Sequence, residues 1–148
     1  MEISSKLPQF TQKSALIVVA SKQEAVFYWA SKGVLERARS FLIEKPRYSD
    51  REGFFVRTGL GRFFGAGSSY EGVKKKVLQD FHKEYEESIK ELSKRYNPDL
   101  VYFFASPYVV NDVQEELPPQ WRGKIKDVFQ GNYVKRHPFD LLKRIAER

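Results

Sequence analysis

The residues best suited to chemistry gather between Gly53 and Lys76, in the stretch GFFVRTGLGRFFGAGSSYEGVKKK. Arg57, Arg62, Lys74, Lys75 and Lys76 are cations of the kind that neutralise phosphates. Gly65, Gly67 and Ser68 lie between them, where glycine lets a backbone approach an anion closely. Phe63 and Phe64 supply flat rings on which unpaired bases can stack. Counted from Lys45 to Lys76, eight basic residues face three acidic ones, so this segment carries five of the chain's seven net positive charges. The chemistry implied is contact with a polyanion, RNA before all others.

Other chemistries find less to work with. Backbone amides from Gly65 to Ser69, ahead of a helix, could cradle a phosphate. The spacing, however, is neither G-x-x-x-x-G-K-[ST] nor G-x-G-x-x-G after a strand, so no nucleotide cofactor is expected. His82 and His137 are isolated and cysteine is absent, which excludes thiolate zinc sites, disulfides and a cysteine nucleophile. No metal is expected. Glu84, Glu86 and Glu87 read as surface charges able to pair with Lys83, Lys90 and Lys94. Asp99, Asp112 and Asp127 have no spacing that argues for convergence. Trp29 and Trp121 read as core or rim aromatics, although Trp121, among Pro118, Pro119 and Arg122, is also a place a protein partner could grip.

The elements that position the basic stretch follow from periodicity. Residues 1–13 are polar and read as a flexible arm, leaving 14–148 as a single domain with a basic Gly-rich loop at 46–69. Ala15 to Ala20 is a continuous apolar run, the pattern of a strand buried on both faces. Glu24 to Ala30 and Val34 to Ile43 follow as strands, joined by a Ser31-Lys32-Gly33 turn. From Tyr70 the pattern turns helical, with Val73, Val77, Leu78, Phe81, Tyr85, Ile89, Leu92 and Tyr96 on one stripe and Ser68 or Ser69 as cap. This helix, about 26 residues or ~39 Å long, stops at Asn97-Pro98. The three lysines then fall in its first turns, against the helix dipole.

Leu100 to Ala105 is the next buried strand, and Ser106-Pro107 is expected to cap a helix with Val109, Val110, Val113 and Leu117 inward. Pro118-Pro119 breaks it. Ile125 to Tyr133 reads as the last strand, and His137-Pro138 opens a terminal helix carrying Phe139, Leu141, Leu142 and Ile145. The expected fold is α/β: an antiparallel meander, then β-α-β-α-β-α with helices packed on one mixed sheet. The 26 Lys and Arg against 19 Asp and Glu give a net charge of +7, a balance that suits nucleic acid, the ribosome or an acidic membrane surface. No apolar run approaches the ~18 residues of a membrane span, and the start lacks the build of a signal peptide. A cytoplasmic location with no membrane contact is expected.

This order of elements resembles the middle domain of archaeal and eukaryotic peptide-chain release factors, and the single-domain relatives that include the host-attachment proteins. The resemblance is carried by the strand pair Ser14 to Ala30, the Arg/Gly stretch entering a long helix, and the strand Asp99 to Ala105 leading into Ser106-Pro107. Leu117-Pro118-Pro119 and His137-Pro138-Phe139-Asp140-Leu141-Leu142 complete it. It implies a ribonuclease-H-like topology and a partner among rRNA, tRNA and the ribosome. Those factors carry a Gly-Gly-Gln motif before the long helix, which assists hydrolysis of peptidyl-tRNA. The matching place here reads Gly65-Ala66-Gly67-Ser68-Ser69 without the glutamine, and the nearest, Gln79, is already within the helix. The decoding and partner-binding domains of those factors have no counterpart in this sequence, so stop-codon reading is not expected. Three roles stay open at this point: a non-catalytic RNA or ribosome module, a peptidyl-tRNA hydrolase with a diverged loop, and a protein-interaction or host-attachment protein.

Overall fold

The computed structural model describes residues 1–44 and 61–148, with side chains in the long helix from Lys74 onward. Strands β1 (Ala15–Ala20), β2 (Glu24–Ser31) and β3 (Val34–Leu42) lead to helix α1 (Gly61–Arg95) and strand β4 (Leu100–Ala105). Helices α2 (Val110–Glu115) and α3 (Pro119–Arg122), strand β5 (Ile125–Gln130) and helix α4 (Pro138–Ala146) complete the order. The strands form one sheet in the order β3-β2-β1-β4-β5. β1 is antiparallel to β2 and parallel to β4, and β5 is parallel to β4. This is the mixed α/β sheet that the sequence pattern implies.

Both faces of the sheet are covered, which is why β1 and β4 are apolar without a break. Leu16, Val18, Val101 and Phe103 point into one layer with Phe81, Tyr85, Ile89 and Leu92 of α1, Val110 and Val113 of α2, and Leu117 and Trp121. Ile17, Val19, Tyr102 and Phe104 point into the other, against Leu141 and Leu142 of α4 and Ile3 near the start of the chain. The four-residue steps Val77, Phe81, Tyr85 and Ile89 keep one side of α1 on the sheet, whereas Leu78, a third of a turn away, is 43% exposed. At the tight β2–β3 hairpin, Lys32 and Gly33 both have positive φ, 51° and 76°, as a two-residue turn of the right twist requires.

Four boundaries differ from the sequence expectation. α1 runs from Gly61, not from near Tyr70, so Ser68 and Ser69 lie within it and not at its start. A helix already formed over 70–95 extends without a new nucleation cost, and each added residue gains a backbone hydrogen bond. Gly61, Gly65 and Gly67 each weaken that extension by about 1 kcal/mol relative to alanine without forbidding it. Of the expected 46–69 loop, the part from Gly61 is therefore helical, and 46–60 falls outside the described residues.

The arm is not loose. The Met1 amino group donates to the Leu35 carbonyl at 2.9 Å, and the Leu35 and Ile3 amides donate to Met1 and Gly33. Ile3 is buried, and Phe10 meets Tyr102 edge-on at 6.3 Å. The segment thus fills backbone groups along the start of edge strand β3, which would otherwise stay unpaired. Ser106 does not cap α2, since its amide is committed to Ala20 of β1 and its carbonyl closes the turn to Val109 and Val110. β5 stops at Gln130 because Gly131 has φ +152°, and a Cβ there would lie 2.8 Å from the Tyr133 ring.

Polar ties lock the layers. Ser14 donates from its amide and hydroxyl to the Asp99 carboxylate at 3.0 and 3.2 Å, while the Asp99 amide donates back to the Ser14 carbonyl. Buried Ser88 of α1 accepts from Arg39 Nε at 2.8 Å, and the buried Tyr85 hydroxyl donates to the Val113 carbonyl at 2.7 Å.

Two outcomes are expected. Phe103→Ala, at the fully buried centre of β4, lowers unfolding free energy by about 3–5 kcal/mol in urea titration. Deleting residues 1–10 speeds hydrogen exchange of the Leu35 amide, whose acceptor is Met1, far more than that of Val18 in β1.

Candidate nucleic-acid interface

The basic positions divide by what the structure describes. Arg57 lies outside the described residues. Arg62, Phe63, Phe64, Gly65, Gly67 and Ser68 fall on α1, where the backbone alone is described. A helical backbone corrects one expectation for three of them. The amides of Gly65, Gly67 and Ser68 lie beyond the first four of the helix, so they point along its ladder instead of cradling a phosphate.

Lys74, Lys75 and Lys76 are all exposed. They stand more than three turns inside α1, clear of the dipole's positive end, so the dipole conflict expected from sequence is absent. From first to last, three consecutive residues turn through about 200° of an α-helix, and Val77 next to them is buried. The lysines accordingly splay around the free side of the helix, just before its apolar stripe meets the sheet. Such a fan suits a backbone of phosphates, which offers charge along a line and no single fixed geometry.

The tryptophan alternative changes most. Trp121 is 1% exposed inside the α1-side core, so no partner can grip it there. Trp29 is half-buried against Tyr96, with ring centroids 4.6 Å apart. Asp99, Asp112 and Asp127 sit in three separate places: on Ser14, beside His82, and beside Arg148. A shallow pocket of about 260 Å³ opens between β5 and α4, lined by Phe129, Gln130, Tyr133, Arg144, Glu147 and Arg148. Arg148 is already turned to Asp127 and to the Phe129 ring there.

Sequence reading missed one cluster. His82 Nδ1 lies 2.5 Å from Glu116 Oε1, and its Nε2 lies 3.8 Å from Asp112 Oδ2. The signal was the four-residue spacing of Asp112 and Glu116, which puts both carboxylates on one side of a helical turn; nothing local pointed them at His82. Among the described residues no group of three or more such side chains is placed to hold a metal. The cluster instead staples α1 to the end of α2. Burial raises the Glu116 carboxyl above its ordinary range despite the lowering influence of His82, with Asp112 and Glu86 adding to the rise. Burial also pushes the Tyr85 hydroxyl well up, helped by Glu116.

The sign of the pH effect follows. A carboxyl raised in the folded state favours folding at acid pH, and that contribution is lost as pH rises through the folded value. Glu116→Gln removes the charge and keeps an acceptor for His82. Urea titrations from about pH 4 to 7 should show the variant gaining stability over the parent as pH rises; a difference constant with pH would refute the assignment.

No family model matches this sequence, and no curated protein does. Among solved structures, the fold is similar to that of the archaeal translation termination factor aRF1, with a TM-score of 0.51 at 13% identity. The match covers 90% of this chain and 38% of that one, so the chain spans well under half of that factor. Weaker likenesses reach a chain of the PilM-PilN type IV pilus biogenesis complex and an archaeal protein. For the pilus chain the TM-score is 0.41 at 11% identity, over 95% of this chain and 44% of that one. For the archaeal protein it is 0.42 at 14%, over 90% and 37%. At these identities the likeness is one of fold, and the fold it supports is release-factor-like.

Proposed function

We propose that this chain is a non-catalytic module of the release-factor middle-domain type, which docks on RNA, the ribosome foremost, in the cytoplasm. The observation that carries the reading is the fan of exposed Lys74, Lys75 and Lys76 within a segment holding five of seven net positive charges. The fold likeness to a translation termination factor supports the same setting. Against hydrolysis stands the chain's own sequence. Where the resemblance places a Gly-Gly-Gln motif, the chain reads Gly65-Ala66-Gly67, and exposed Gln79 lies further along α1. Among the described residues no helix is long and apolar enough to cross a membrane.

The mechanism is electrostatic. Each phosphate neutralised releases condensed counterions, so affinity falls with salt at a slope of roughly 0.7–0.9 per contact. α1, about 52 Å long at its 35 residues, serves as a stiff stem on which the charge is carried.

Ribosome co-sedimentation tests this. The protein is expected in the pellet at about 50 mM salt and in the supernatant at about 500 mM. Replacing Arg57, Arg62 and Lys74 to Lys76 with serine should abolish pelleting at low salt while leaving the circular dichroism of the fold intact. A parent protein that stays in the supernatant at low salt, or a variant that pellets as well as the parent, sinks the reading.

A further inference from the structure

β1 and β4 lie side by side and parallel, but the chain leaves their carboxyl ends in opposite directions. β1 turns back into β2 on one side, and β4 continues through α2 and α3 to β5 on the other. In open α/β sheets the crevice at such a switch point is where ligands are held. The loops that diverge here carry Ser21 and Lys22 after β1, and Ser106, Pro107 and Tyr108 after β4.

Three features of this end are out of place in a surface without a ligand. Tyr108 is 71% exposed, the most exposed of the large apolar side chains among the described residues. The Lys22 ammonium stands over its ring, 3.7 Å from the centroid. The buried Ser106 hydroxyl, two residues before Tyr108 in the chain, has no hydrogen-bond partner among the described residues. The Ser106 amide bonds the Ala20 carbonyl at 3.1 Å and so holds the two loops together.

The same end receives the basic part of α1. Phe81 packs on Phe41, which pairs with Ala25, and Ala25 lies opposite Ala20, the last residue of β1. Tyr96 packs on Trp29 and bonds Glu36 at the opposite end of the sheet. α1 therefore runs from the carboxyl end of β1 towards its amino end, and Lys74 to Lys76, before Phe81, stand at or beyond the carboxyl end. Two acids of the neighbouring turn, Asp112 and Glu116, are turned to His82.

We propose that this end of the sheet is a single-stranded RNA site in which a nucleobase stacks on Tyr108 and adjoining phosphates meet Lys22 and the lysines of α1. The proposal rests on the RNA-binding reading above and adds a base platform to it. Stacking on an aromatic ring is tolerant of sequence, because every base has a π-face. An exposed cation–π contact is weak, so the Lys22 ammonium can exchange the ring for a phosphate without moving its backbone.

Fluorescence anisotropy with a fluorescein-labelled oligouridylate of roughly 12 nucleotides tests it. Tyr108→Ala should weaken binding about five- to a hundredfold with an unchanged salt slope, and Tyr108→Phe should bind like the parent. Lys22→Ala should weaken binding and lower the salt slope by about 0.7. A Tyr108→Ala protein that binds as the parent does overturns the platform and leaves the RNA reading standing. A parent protein that binds neither this oligomer nor ribosomes overturns both. Loss of binding in Tyr108→Ala that is matched in Tyr108→Phe also counts against stacking, since the ring would then not be what matters.

Discussion

The constraint on which the structure depends is that β1 has no exposed side. Its six residues are each 1% exposed or less, its two edges are taken by β2 and β4, and its side chains alternate between two cores. An aliphatic side chain moved from water to such a place stabilises by about 1.5–3 kcal/mol, but only if both layers are present. One layer is built from α1, α2 and Trp121. The other is built from α4 and the start of the chain, which explains why a polar N-terminal segment is drawn in: Ile3, Leu7 and Phe10 are the apolar residues available to finish it.

Covering both faces brings polar groups into the layers, and each has to be met. Tyr85 reaches the Val113 carbonyl, Arg39 reaches Ser88, and Asp99 spans the first and fourth strands through Ser14. These ties fix how α1 sits on the sheet, and with it the direction in which the lysines project. His82 does the same at the other end of α1's packed stretch, with the added feature that Glu116 keeps one carboxylate oxygen buried and without a partner among the described residues. A buried, half-satisfied acid opposite a histidine makes the α1–α2 contact sensitive to acidity, whatever the chain binds.

Most of the sheet was legible in the sequence because doubly buried strands leave a strong mark. Ala15 to Ala20 and Leu100 to Ala105 are unbroken apolar runs and fold as read. The Lys32-Gly33 turn, the stop at Asn97-Pro98 and the His137 cap, whose ring accepts from the Phe139 amide, follow from local chemistry that needs no partner. What failed depends on distant residues. Glycines and serines from Gly61 to Ser69 read as a loop because their intrinsic preference is weak, while the helix they join is set by packing further along. The arm read as loose because Ile3, Leu7 and Phe10 follow no period; their order comes from the sheet they cover. His82 and Glu116 are 34 residues apart, a separation no local pattern spans.

For the candidate interface, the sequence located the charge but not its setting. Among the described residues, helices cover the central strands on one face, and α4 with the N-terminal segment covers them on the other. The amino end is closed by Asp99 on Ser14 and by Tyr96 on Trp29, and the edge at β3 is begun by Met1 to Ile3. The carboxyl end is tied by the Ser106 amide on the Ala20 carbonyl, and it is towards this end that α1 brings Lys74 to Lys76. Covering β1 thus does more than stabilise the domain: the packing that sets Phe81 of α1 on Phe41 also places Lys74 to Lys76 towards the carboxyl end of the sheet.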